Sequence, residues 1–151
     1  MATAAIGLYR GLTARGVDVT IFSDSEHHIA GLKTQFFKVL GPRRFEYSAD
    51  LGKLLDDGRF DIVHTHGLWT FRSAAALRWH RRTKRPLVVS PHGTLDAWAL
   101  RRSAWKKAIV RRIFEGRHLD SAACIHALNQ SELLAIRDYG LTGPVVVIPN
   151  G

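Results

Sequence analysis

Residues 61–69, DIVHTHGLW, close an apolar run with two histidines, a glycine and a tryptophan. Read as a strand, the run points His64 and His66 to the same side, because side chains alternate with period two. Its neighbours decide what kind of strand it is. Downstream lies PLVVSPHG (86–93), another β-branched run that ends in a proline, a histidine and a glycine. Upstream and further on, 17–22, 36–40, 123–128 and 144–149 read the same way. Helical patterns fill the gaps at 2–15, 48–57, 70–83, 98–118 and 130–139. Asn129 followed by Glu132 is a capping-box variant that opens the last helix, with Gly140 placed to close it; Gly16 likewise ends the first.

Strands that alternate with helices imply right-handed crossovers and a parallel sheet covered on both faces. The expected class is therefore α/β, a Rossmann-like doubly wound parallel sheet. Such folds open with a strand and a glycine-rich turn, whereas this sequence opens in a helix and closes on VVVIPNG (145–151). The expectation is one domain over residues 1–151 that lacks its first strand and is cut at a linker.

Ligands of open parallel sheets bind at the carboxyl ends of the strands. Those ends are polar here: Ser23-Asp24, His64 to Gly67, Ser90 to Gly93, Asn129, and Asn150-Gly151. Two strands thus bring His64, His66 and His92 to one rim, with His64 beneath it and His66 nearer the cleft. A metal would need a third and usually a fourth ligand; His92 is available, but only Asp96 offers a nearby carboxylate, so no metal site is expected. Gly93 gives His92 a strand-end position that a ligand can approach closely, and a histidine there can donate to a hydroxyl or to developing negative charge.

With 151 residues the chain can bury a real core, and its 46% apolar and 23% charged content is that of a globular protein. No apolar run approaches the roughly 20 residues that cross a bilayer, and the first residues do not read as a secretory signal. The single cysteine, Cys124, lies in an apolar run and is expected to be buried, which fits a reducing compartment. The net charge of +9 is concentrated: from Arg72 to Arg117 there are 13 Lys or Arg against Asp96 and Glu115 alone. Such a surface attracts anions, whether nucleic acid, anionic lipid or phosphorylated small molecules. Within it, DAWALRRSAWKKAIVRRIF (96–114) sets Trp105, Ile109 and Ile113 at helical spacing, with Ala108 widening the stripe. The stripe is expected to be mostly core. Part of the basic face, Arg101, Arg102, Lys106 and Lys107, is expected to contact membrane or other anions.

Three segments in this order, DIVHTHGLW, PLVVSPHGTLDAWALRRSAWKKAI and VVVIPNG, resemble the N-terminal domain of family-4 glycosyltransferases. These are retaining enzymes of the two-domain GT-B architecture, and the likeness is closest to those that build bacterial exopolysaccharide and lipopolysaccharide. The resemblance implies that His92 is the catalytic histidine facing the donor sugar. It further implies that His66, Gly67, Trp69, Gly93 and Thr94 line the substrate cleft, with the acceptor on this domain. The complete enzyme would move a sugar from a nucleotide-sugar, a co-substrate and not a cofactor, to a glycan or lipid-linked acceptor. It would work in the cytoplasm, peripherally at the inner face of the membrane. The donor-binding domain and the glycine-rich turn have no counterpart in these residues, so the chain alone is expected to be inactive and prone to self-association. Residues 17–22 and 60–66 should close or flank the gap left by the absent strand. Two other readings are a basic module that binds nucleic acid or a membrane surface, and a fragment of a GT-B-like sugar-nucleotide epimerase. No nucleic-acid motif supports the first.

Overall fold

Alternation along the chain becomes alternation in space. The computed structural model describes residues 2–26, 28–42 and 45–149, with side chains from residue 5 onward. In chain order the elements are α1 (Ala2–Thr13), β1 (Thr20–Ser23), β2 (Lys33–Phe36), α2 (Ala49–Asp57), β3 (Val63–His66), α3 (Phe71–Thr83), β4 (Leu87–Ser90), α4 (Ala97–Arg101) and α5 (Ala104–Val110). A π-helical turn (Arg111–Glu115), α6 (Gly116–Asp120), β5 (Ala122–Ala127), α7 (Gln130–Asp138) and β6 (Val145–Val147) complete the order.

Among the described residues every strand pairing is parallel. β3, β4, β5 and β6 form one sheet in that order, and β1 pairs with β2 in a second. Among the described residues β1 and β3 do not pair. The two sheets nonetheless share a core. Phe22 and Phe60 meet edge to face at 5.5 Å. Phe37, Leu51, Leu55, Ala76, Trp79 and Leu87 bury together across α2, α3 and both sheets; each large apolar side chain so buried contributes about 1.5–3 kcal/mol relative to exposure.

Consecutive strands that advance in one direction place their right-handed crossovers on one face. Contacts agree, since His118 of α6 reaches Thr65 of β3, and Ile136 of α7 packs with Val89 and Ile125. Alternation then points His64, His66, Ser90 and His126 to the opposite face, where Tyr9 of α1 meets the rings of His64 and His66. One face is an apolar core; the other carries a polar row. The caps behave as their residues predict: Asn129 Oδ1 accepts from Glu132 N at 2.8 Å, and Gly16 and Gly140 take the left-handed conformation that ends a helix.

Three expectations need correction. The second strand is Lys33–Phe36 and not 36–40, because Phe37 is needed in the core while the polar KTQF segment alternates exposed and half-buried as the partner of β1. The helix expected over 98–118 is broken at Arg102 and Ser103, with Ser103 left-handed at φ 56°, and then widens into the π turn. Cys124 is half-buried instead of buried. Asn150 and Gly151, expected to end a strand at the rim, lie outside the described residues.

Candidate functional site

After Ser90 ends β4, two successive residues adopt left-handed backbone, His92 at φ 55° and Gly93 at φ 73°. Glycine does so freely, whereas a side-chain-bearing residue is strained there, by on the order of 1–2 kcal/mol. The surroundings over-determine the turn. Gly93 N donates to Glu132 Oε1 at 2.8 Å, and Thr94 Oγ1 donates to Pro91 O at 2.7 Å. Glu132 is buried, and its other oxygen accepts from Leu128 N at 2.7 Å. A carboxylate from α7 thereby locks the backbone that presents His92.

The loop after β3 is built on the same plan. Gly67 (φ 77°) and Trp69 (φ 71°) are left-handed, Gly67 N donates to Ser90 O at 2.8 Å, and Trp69 N donates to Glu115 Oε2 at 2.7 Å. Glu115 is fully buried, and its second oxygen bonds His118 Nδ1 at 2.9 Å. The π turn aims it there, as such turns often do at functional sites. Gly116 permits the turn, because a Cβ at that position would come within 2.9 Å of Arg111 O. Two strained strand-end loops are thus each held by a buried glutamate from a later helix.

Between these loops runs a row of imidazoles. The rings of His64 and His66 lie 4.3 Å apart, and those of His66 and His92 stack at 5.1 Å. His66 Nδ1 hydrogen-bonds His92 Nε2 at 2.8 Å, and His66 Nε2 hydrogen-bonds the Tyr9 hydroxyl. His64 Nε2 bonds Ser90 Oγ at 2.8 Å, Ser90 Oγ bonds His126 Nδ1 at 2.9 Å, and His126 Nε2 donates to Ile148 O at 2.9 Å. Burial, reinforced by the neighbouring histidines, lowers the His64 pKa to about 4 and that of His66 to about 2. His92 is lowered chiefly by burial, and the Glu132 carboxylate works against that shift. These three rings are therefore uncharged near neutral pH, which makes the row a hydrogen-bonding device.

The expected site residues divide into two groups. His92, Gly93 and Thr94 form the turn at the end of β4, and Gly67 and Trp69 form the adjacent one. His66 has both ring nitrogens committed to protein partners. Trp69 points Nε1 at Thr94 O, 3.4 Å away, and its ring lies beneath Lys107 Nζ, so it ties the two turns together. Among the described residues no group of three or more His, Cys, Asp or Glu is disposed to hold a metal.

Away from the rim, the stripe expected to be core is outside. Trp105, Ile109 and Ile113 are 66%, 50% and 59% exposed, Ala108 is exposed, and α5 buries nothing. The π turn adds a residue to one turn and so rotates the next segment by about 100°; Glu115, His118 and Leu119 face inward instead. Arg101, Arg102 and Lys106 are exposed, but Lys107 is half-buried and donates to Ala99 O. A groove of about 480 Å³ lies between α3 and the π turn, lined by Arg78, Arg81, Arg82 and Arg117 over Leu77 and Phe114. It includes none of the histidine row.

Sequence reasoning missed Tyr9, Glu115, His118 and His126, and it saw Glu132 only as a cap. One signal was available: His126 interrupts the apolar ACIHAL, and a polar residue in a buried strand needs a partner. No local pattern marks Tyr9, whose partner is 57 positions away.

Among the described residues no helix is long and apolar enough to cross a membrane. No curated protein matches the chain. The family model for a glycosyl transferase 4-like domain matches residues 1–151, end to end. A parallel α/β sheet whose strand ends converge on a locked histidine turn, matched over its whole length by that model, belongs to the glycosyl transferase 4-like domain family.

Proposed function

We propose that this N-terminal glycosyltransferase domain forms the acceptor side of a cleft in which a sugar passes from a nucleotide-sugar to a glycan or lipid-linked acceptor, with retention at the anomeric carbon. The observation that carries the reading is His92. It stands at a strand end in strained backbone, with its ring positioned by His66 and its main chain by Glu132. Strain at a site the surroundings over-determine is where function is to be sought. Gly67 and Gly93 allow close approach of a sugar to the backbone, and Trp69 and Thr94 brace the two turns around it. Donors held rigidly at a cleft stabilise charge that develops on a departing diphosphate or attacking hydroxyl.

The test is His92→Ala in the complete enzyme. Turnover should fall more than tenfold, about 1.4 kcal/mol of barrier or more, with the thermal midpoint little changed. Near-wild-type turnover would remove His92 from the mechanism. Product identification in the same assay separates glycosyl transfer from epimerisation.

A second element of the proposal is a membrane surface, the site of a lipid-linked acceptor in bacterial polysaccharide assembly; it is favoured by the outward stripe. Trp98, Trp105 and Ile109 are exposed beside Arg101, Arg102 and Lys106. Aromatic and aliphatic side chains flanked by basic ones suit the interface of an anionic leaflet. The cytoplasmic face of a membrane is the location this reading implies.

A further inference from the structure

Every hydrogen bond in the histidine row needs one donor and one acceptor, so the row as a whole constrains where its protons sit. Taking from the proposed function that His92 faces the sugar cleft, we infer that Tyr9 and His66 hold His92 in its Nδ1–H tautomer. His92 then meets a ligand oxygen as a hydrogen-bond donor through Nδ1, with Nε2 already occupied as an acceptor.

Two arrangements satisfy the bond between His66 Nδ1 and His92 Nε2. In the first, Tyr9 donates its hydroxyl proton to His66 Nε2. His66 then carries its own proton on Nδ1 and donates it to His92 Nε2, which leaves the His92 proton on Nδ1. In the second, every direction reverses: His92 Nε2–H donates to His66 Nδ1, and His66 Nε2–H donates to the Tyr9 oxygen. The second arrangement leaves the Tyr9 hydroxyl proton with no acceptor, since its bond to His66 is the one that the described residues provide. An unmet donor on a half-buried phenol costs up to about 1–3 kcal/mol, and only the first arrangement avoids that cost. A doubly protonated His66 would satisfy both contacts, but burial and three neighbouring histidines oppose a charge there. Burial also raises the Tyr9 pKa, so its proton stays on the hydroxyl.

The inner half of the row is set from its opposite end and comes out reversed. Ile148 O can only accept, so His126 carries its proton on Nε2 and accepts at Nδ1 from the Ser90 hydroxyl. Ser90 Oγ then accepts from His64 Nε2–H. Neighbouring rings His64 and His66 therefore hold opposite tautomers, anchored by a carbonyl at one end and a phenol at the other. Tyr9 and His66 are positioning residues, which act on the ligand through His92.

Tautomers can be read directly from two-bond nitrogen–proton correlations of the ¹⁵N-histidine-labelled chain near neutral pH, without substrate. The expected pattern is Nδ1–H at His66 and His92, and Nε2–H at His64 and His126. Tyr9→Phe conserves the ring but removes the donor, and it should shift His92 toward a mixture with Nε2–H. Ser90→Ala should disturb His64 and His126 while leaving His92 at Nδ1–H. A wild-type His92 protonated at Nε2, or a His92 spectrum that Tyr9→Phe leaves unchanged, would overturn the proposal. If either variant fails to fold, the wild-type pattern alone decides. Because no turnover is measured, this result can fail while the His92→Ala test succeeds, and the reverse.

Discussion

The histidine row and the stripe on α5 are mirror images in their relation to water. One is a run of polar rings withdrawn from solvent; the other is a run of large apolar side chains presented to it. The row can remain inside because each of its bonds has a partner: Tyr9, Ser90 and the Ile148 carbonyl complete it. The stripe is outside, while Glu115, His118 and Leu119 of the turn and helix that follow it are buried. Hydrogen-bond satisfaction admits polar groups to an interior, and helical spacing alone does not bring apolar ones in.

The most severe way to break this arrangement is Glu115→Ala. It strips the acceptor from Trp69 N and His118 Nδ1 in a fully buried site, and each buried donor left without a partner costs about 1–3 kcal/mol. Urea unfolding of the chain is the measurement. A loss below about 1 kcal/mol would mean that the Trp69 loop is held by something else.

Acidification attacks the row itself. His64 and His66 are neutral in the fold, with proton affinities depressed from 6.5 to about 4 and about 2. The unfolded chain therefore takes up more protons as the pH falls, so their contribution is complete above about pH 6.5 and is lost progressively below it. At about 1.4 kcal/mol per histidine per pH unit, the pair should cost about 3 kcal/mol on reaching pH 5.5. Thermal midpoints from pH 7.5 to 5.5 test this, and a flat profile would show that the rings are already accessible to water.

Smallest in stability, but diagnostic, is the stripe. Trp105→Ala should change unfolding free energy by less than about 0.5 kcal/mol, as exposed substitutions do, while weakening binding to anionic vesicles. Gln in place of Arg101, Arg102 and Lys106 should weaken it further, each basic residue near such a surface contributing about 1 kcal/mol. Lys107→Gln should matter less to vesicles, because its ammonium is turned toward Ala99 O. A domain that binds neutral and anionic vesicles equally would assign the stripe another role.

Much of the rim was legible in the residues themselves. The runs VDVTIF, FDIVHTH and PLVVSPH announced parallel strands with polar ends, and the glycine after His92 announced a turn that a ligand could approach. His66, Gly67, His92 and Gly93 were visible because strand ends are defined by local chemistry. The second strand was misplaced because FFKVL is the more apolar segment, yet Phe37 was taken by the core and the pairing fell to KTQF.

What the sequence by itself determined was periodicity: which segments alternate every two residues and which every 3.6, and hence which side chains share a face. That is a property of the backbone and needs no distant partner. Which face turned inward was decided only in the folded chain. Trp105, Ile109 and Ile113 keep their helical spacing in sequence, but the chain breaks at Ser103, widens into the π turn at Arg111 and leaves all three exposed. From the π turn Glu115 reaches Trp69 N, 46 positions earlier, and Tyr9 reaches His66, 57 positions later. Desolvation is settled by whatever packs on top of a residue, and no local pattern carries that information.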